Sequence, residues 1–220
     1  MQLFTLNRYT DNSSIFSGYY TSITACIEHA VEQKLDLSYI NLKNQNLTNA
    51  NIDMAHMPHA CLNGTNLTGC NLSEANLEKA SFLNTSLYNT CLSYSHLRQC
   101  NFAGAAFGAT PIDGADMRDC QFSTLSCFDL DFHLTHSTIG STFITTDNIS
   151  HPMSNTPAIF KGVLNTPIII LDDIVKVGTQ YFSSRAIPPL IQHLQEHVLK
   201  TIPQQKSTHQ FSHQSKVLNG

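Results

Sequence analysis

At 220 residues and 41% hydrophobic content, the chain has room for one domain with appendages, near the lower edge of ordinary globular hydrophobicity. Charged residues make up only 13% and the net charge is -4, so Asn, Ser, Thr and Gln must keep the surface wet. Nine acids oppose four bases between Leu35 and His133, and four acids oppose six bases from Leu134 onward; neither stretch carries the basic footprint of a nucleic-acid binder.

The first ten residues have neither a basic start nor an apolar stretch of signal-peptide length. Gln2 to Tyr9 and Ser14 to Tyr20 read as two strands around a Thr10-Asp11-Asn12-Ser13 turn. Ile23, Cys26, Ile27, Ala30 and Val31 then follow the spacing of an amphipathic helix, with Thr21 or Ser22 as its N-cap. Residues 1–34 are read as an N-terminal hairpin-plus-helix cap.

From Leu37 the chain changes period. Stepping by five gives Leu37, Leu42, Leu47, Ile52, Met57, Leu62, Leu67, Leu72, Leu77, Phe82, Leu87, Leu92, Leu97, Phe102, Phe107, Ile112, Met117 and Phe122, all large and apolar. Two residues before each centre, from Ala50 to Cys120, stand only Ala, Ser, Thr or Cys. Just before the centre, Asn recurs at 41, 46, 51, 66, 71, 76 and 101. A period of five fits no helix, because residues five apart are rotated by ~500°. It fits no flat strand either, because five is odd. The backbone must turn a corner every five residues, and four corners close a square coil of twenty. Coils stacked at the ~4.8 Å spacing of paired strands would form continuous hydrogen-bond ladders.

Segments such as Ala75-Asn76-Leu77-Glu78-Lys79 and Ala115-Asp116-Met117-Arg118-Asp119 resemble the pentapeptide-repeat family, whose motif is a small residue, Asp or Asn, Leu or Phe, then two mostly polar positions. The resemblance implies a mainly β fold: a right-handed quadrilateral parallel β-helix, here over residues 35–145 with about five to six coils and α/β caps at both ends. Cys127 and Phe132 keep the register, and Leu134, Ile139 and Ile144 are expected to continue it after a two-residue slip. The N-terminal hairpin and helix resemble the start of phage- and plasmid-type members. Known members include gyrase-binding proteins that imitate DNA, which makes a modulator of a type II topoisomerase the alternative reading. Such mimicry needs dense negative charge at phosphate-like spacing. The outward columns do not supply it: one runs Glu78, Arg98, Arg118, another Asp53, Ser73, Ser93, Asp113. A third column, Asp36, His56, Asn76, His96, Asp116, could share hydrogen bonds and respond to pH, but this position is ordinarily polar and its two histidines are read as drift.

After Thr145 a Thr-, Ser-, Asn- and Pro-rich stretch runs to about Pro157. Pro167 to Leu171 and Ile174 to Gly178 read as a hairpin turning at Asp172-Asp173. From Pro188 a helix places Leu190, Ile191, Leu194, Val198 and Ile202 on one stripe, a candidate face for a partner or for a second copy of the chain. Residues 146–202 are read as hairpin and helix, and 203–220 as a polar disordered tail. That helix holds His193-Leu194-Gln195-Glu196-His197, an H-x-x-E-H string in which His193 and His197 would ligate zinc and Glu196 would activate water in a hydrolase. No downstream acid follows to complete the ligand set, so no metal is assigned.

Seven cysteines without a C-x-x-C spacing fit neither a disulfide framework nor a zinc ribbon, and suit a reducing compartment. The longest aliphatic run, Ile168 to Leu171, is too short to span a membrane. With no phosphate-binding glycine loop, serine elbow or dinucleotide fingerprint, the expectation is a cytoplasmic, non-enzymatic scaffold. It would use no cofactor, touch neither nucleic acid nor membrane directly, and bind a protein partner, with gyrase as the alternative target. Export through a dedicated machine would leave no mark in such a sequence.

Overall fold

A computed structural model describes residues 1–161, 167–178 and 180–183. Strands β1 (Gln2–Asn7) and β2 (Ser14–Tyr20) form an antiparallel hairpin. Helix α1 (Ile23–Glu32) follows; Ser22 caps it by accepting a hydrogen bond from the Ala25 N–H at 3.1 Å. Its apolar side, Cys26, Ile27 and Ala30, is buried. Lys34, at φ 54°, ends the helix in the left-handed region and turns the chain into the first coil.

The repeat then builds four walls. Wall one is centred on Leu37, Met57, Leu77, Leu97 and Met117; wall two on Leu42, Leu62, Phe82, Phe102 and Phe122. Wall three runs Leu47, Leu67, Leu87, Phe107, and wall four Ile52, Leu72, Leu92, Ile112. Bridges join residues twenty apart, such as Asn41 to Cys61, Asn46 to Asn66 and Asn71 to Cys91. Each wall is so short that only β3 (Ser86–Tyr88), β4 (Asn101–Phe102), β5 (Ala106–Gly108) and β6 (Gln121–Phe122) extend beyond single bridges. The ladder repeats with the sequence. Leu42 N–H donates to the Cys61 carbonyl at 2.9 Å, Asn44 N–H to that of Asn63 at 2.9 Å, and Cys61 N–H back to that of Ile40 at 2.9 Å.

The corners explain the period. Within most pentads the centre's carbonyl accepts from the N–H three residues on, as Leu62 does from Thr65 at 3.1 Å. The residue between them at the third position has positive φ all along the repeat, from Tyr39 at 62° to Asp119 at 59°. This is the geometry of a type II turn, which favours Gly or Asn there. Asn44, Gly64, Asn84 and Gly104 satisfy that preference. Tyr39, Met54 and Glu74 occupy it at a cost in backbone strain that burial of the centres offsets.

All eighteen centres are buried, each at most 1% exposed. On wall two, the rings of Phe82, Phe102 and Phe122 stack at centroid distances of 4.7 and 5.4 Å, filling the later coils. The small column behind the centres is chemically active as well as small. Hydroxyls of Thr65, Thr85, Thr90 and Thr110 donate to the carbonyls of Leu42, Leu62, Leu67 and Leu87 in the preceding coil, at 2.7 to 2.8 Å. Cys100 and Cys120 use their thiols the same way, toward the Leu77 and Leu97 carbonyls.

Beyond Phe122 the regular coil breaks. Two 3-10 helices, Leu125–Asp129 and Phe132–Leu134, interrupt walls three and four. Where backbone carbonyls leave the ladder, side chains replace them: Gly104 N–H donates to Ser123 Oγ at 2.9 Å, and Phe107 N–H to Ser126 Oγ at 3.1 Å. The expected two-residue slip is not what happens. Phe122 pairs with Phe143 and Asp116 with Ser137, one residue more than the regular twenty. Thr138 and Phe143 therefore point inward, whereas Leu134 and Ile139 are 50% and 64% exposed. A two-residue slip places aliphatic side chains inside; the 3-10 turns take up only one extra residue, so the inward set falls one position away.

The last parallel strand, β7 (Thr142–Ile144), is met by β8 (Ser150–Pro152) running antiparallel. Then β9 (Ala158–Phe160), β10 (Ile168–Ile170), β11 (Ile174–Val177) and β12 (Gln180–Ser183) form an antiparallel sheet in the order β12-β11-β10-β9. Its middle hairpin turns at Asp172-Asp173; the flanking strands have no comparable sequence signal. The stripe Leu190, Ile191, Leu194, Val198 and Ile202, the string from His193 to His197, and residues 203–220 lie outside the described residues.

Candidate functional site

The walls differ sharply in charge. The middle outward columns of wall two (Asn41, Cys61, Ser81, Asn101, Gln121) and wall three (Asn46, Asn66, Ser86, Ala106) are uncharged. Wall one carries the column Asp36, His56, Asn76, His96, Asp116, flanked at its corner by Glu78, Lys79, Arg98, Arg118 and Asp119. Backbone bridges place His56, Asn76, His96, Asp116 and Ser137 in direct succession. Four of the seven acid–base pairs among the described residues lie on this wall.

Local geometry fixes several of these groups. His56 Nε2 lies 3.8 Å from Asp36 Oδ1, and its Nδ1 lies 3.5 Å from Asn76 Nδ2, so imidazole bridges two coils. Asp36 also accepts from the Ser38 hydroxyl and from the Ser38 N–H at 3.0 Å; these bonds hold its carboxyl below the usual range. Asp116 accepts the Arg118 guanidinium in a two-point fork, its Oδ1 receiving Nε at 2.8 Å. That fork lowers the Asp116 carboxyl and raises the guanidinium. Arg98 reaches Asp119 at 3.4 Å, and Lys79 reaches Glu78 at 3.6 Å. These exposed pairs hold side chains in place more than they stabilise the fold.

Exposed rings frame the wall. Tyr39 and His59 stack with centroids 4.5 Å apart and planes 8° apart, and Tyr9 from the hairpin continues the edge at 6.1 Å. On the opposite corner Tyr94 is 64% exposed and lies against Gly114, where a Cβ would come within 2.5 Å of the ring. Met54, 66% exposed, stands at the first coil of the same corner. Beside it a groove of about 600 Å³ opens between α1 and the wall, lined by Glu28, Glu32, Asp53, Met54 and His56 among others. Glu28 does not merely line it: its Oε1 accepts the Asn51 N–H at 2.8 Å, standing in for the coil that would precede the first.

The arrangement on wall one offers groups suited to binding. The partly exposed thiols, Cys61 and Cys91, lie on walls two and four, while Cys70 is pushed up to about 12 by burial, and burial also holds Cys100 and Cys127 well above the ordinary thiol range. Among the described residues no group of three His, Cys, Asp or Glu side chains could hold a metal ion, and no helix is long and apolar enough to cross a membrane. The stacking of His56, Asn76 and His96 was legible from the repeat; a role for them was not. The Arg118 fork and the Glu28 contact were not, because one depends on side-chain rotamers and the other on how α1 docks.

A family model described as pentapeptide repeats matches residues 33–64, 65–104 and 84–123, with eight copies. The match carries the family's fold, a right-handed quadrilateral β-helix. Among solved structures, the chain is similar to alr5209, a pentapeptide-repeat protein from Nostoc PCC 7120, at 21% identity and TM-score 0.32, covering 56% of this chain and 95% of that one. It is similar to HetL, a pentapeptide-repeat protein involved in heterocyst differentiation regulation from Nostoc sp. strain PCC 7120, at 22% identity and TM-score 0.22, covering 47% of each chain. Full-length QnrB1, a plasmid-mediated fluoroquinolone resistance protein, is similar at 16% identity and TM-score 0.23, covering 47% of this chain and 53% of that one. No curated protein matches the chain.

Proposed function

We propose that this chain, which belongs to the pentapeptide-repeat family through residues 33–123, is a non-catalytic scaffold that presents wall one to a protein partner. Family members are generally structural or binding proteins. A solenoid buries its centres through neighbouring coils and leaves its outward columns free, so function has to reside in a particular surface. The observation that carries the reading is the segregation of charge. Ion-paired groups gather on wall one, and Asp53, Glu74, Tyr94 and Asp113 lie toward its corner with wall four, while the middle columns of walls two and three hold only uncharged side chains. Interfaces favour such a mixture of rings, Arg and Met over uniform polarity. In this reading the hairpin and helix of residues 1–34 close one end of the β-helix and the described strands β8 to β12 close the other.

Mimicry of DNA toward a topoisomerase is the weaker reading. On wall one Asp116 and Asp119 are each matched by an arginine and Asp36 by His56, so no unbroken acidic ladder faces solvent.

The test is affinity capture from a bacterial lysate with three full-length proteins: wild type, His96→Ala/Arg98→Ala on wall one, and Asn66→Lys on wall three. A partner kept by the wall-three variant and lost by the wall-one variant supports the reading. A partner indifferent to the wall-one variant, or none for any protein, overturns it. A supercoiling assay on gyrase separates the topoisomerase reading, which requires inhibition or protection.

A further inference from the structure

Lys176 is the one Lys, Arg, Asp or Glu among the described residues that is buried, at 4% exposure. It stands in the middle of β11, opposite Ile169 on β10 and Tyr181 on β12, so pleating carries its side chain to their face of the sheet. Its Nζ donates to the Gly178 carbonyl and lies 5.0 Å from the Tyr181 ring centre. An ammonium has three donors, and a carbonyl and a ring do not compensate a buried charge as a carboxylate does. The nearby acids are engaged elsewhere: Asp173 with His151 at 3.0 Å, Asp172 with the Ser154 and Asn155 N–H groups, and Asp129 with Lys161 at 2.8 Å. Burial lowers the Lys176 pKa accordingly.

This lysine borders a cavity of about 300 Å³ between the 3-10 helix Leu125–Asp129 and the sheet. Leu125, Phe128, Ile159 and Ile169 give it apolar walls. Among the described residues the charged groups lining it are Lys176, Lys161 and Asp129, a net charge of one positive. The volume is at the small end of ligand pockets.

We propose that the cavity binds a small monoanion with an apolar body, a medium-chain carboxylate, whose head group meets Lys176 and whose tail lies against Phe128, Ile159 and Ile169. A single carboxylate matches the single uncompensated charge; an apolar tail matches the walls. The site is independent of wall one and goes beyond the scaffold reading.

Octanoate, octanol and octylamine are the probes, titrated calorimetrically into full-length protein and into Lys176→Met, which keeps an unbranched side chain one atom shorter and removes its charge. Octanoate is expected to bind wild type, with affinity falling at least tenfold in the variant, while octanol binds both alike and octylamine neither. In wild type, octanoate is also expected to shield Lys176, and not Lys79 on wall one, from acetylation by acetic anhydride, read by mass spectrometry. The second measurement decides the matter should the variant not fold. No octanoate binding, equal binding to Lys176→Met, or Lys176 acetylated equally with and without octanoate overturns the proposal.

Discussion

Thr85 donates its hydroxyl to the Leu62 carbonyl at 2.8 Å, from inside one coil to the backbone of the coil before it. The same carbonyl already accepts the Thr65 N–H at the corner of its own pentad. One oxygen thus ties the turn that makes the corner to the stack that makes the solenoid. This gives threonine and cysteine a use in a column that size alone would fill with alanine.

Replacing Thr85 by Val keeps shape and removes the donor. Leu62 retains one bond, so no buried acceptor is orphaned, and the loss is expected to be about 1 kcal/mol. Urea unfolding measures it; a change below a few tenths would show the hydroxyl to be a spectator.

Glu28 is expected to protect the Asn51 amide. In Glu28→Ala that amide should exchange with solvent markedly faster, at a stability cost of about 1 kcal/mol or less, since water can replace an exposed acceptor. Glu28→Gln keeps an acceptor oxygen and should restore most of the protection. Residue-resolved hydrogen exchange reads both.

Gly114 combines positive φ, 64°, with the Tyr94 ring packed where a Cβ would sit. Gly114→Ala should cost about 1–2 kcal/mol from the backbone alone, plus displacement of the ring. Adding Tyr94→Ala should recover only the second part. If the double variant regains wild-type melting, the backbone at this corner carries no strain.

Acid should weaken the fold through Asp116. The Arg118 fork holds that carboxyl below the usual range, so its contribution is complete above the unfolded value, ~3.9, and is lost as pH falls through the lower folded value. The stability gap between wild type and Asp116→Asn should therefore be constant near neutrality and close only below about pH 4. A gap that closes already near neutrality would show that the Asp116 carboxylate does not carry the effect.

Alkylation should sort the thiols. Iodoacetamide at pH 8 is expected to leave Cys70, Cys100 and Cys127 unmodified in the native state and to reach Cys61 and Cys91 first. Peptide mapping identifies the sites.

The sequence alone determined the solenoid between Leu37 and Phe122: the inward centres, the small column behind them and the corner every five residues. That information is local, because each pentad repeats one turn whose side-chain directions follow from its own backbone. It also placed His56 and His96 one above the other through Asn76, since a coil of twenty fixes which residues stack. Tertiary structure decided the rest. Whether the break after Phe122 takes up one residue or two depends on how far the 3-10 turns advance the chain, and no residue type records that distance. Glu28 meets Asn51, and Lys176 is buried beside an apolar cavity, only because a helix and a sheet dock against the ends. Those contacts join segments with no shared period, and their energies come from packing that the pattern of either segment does not contain.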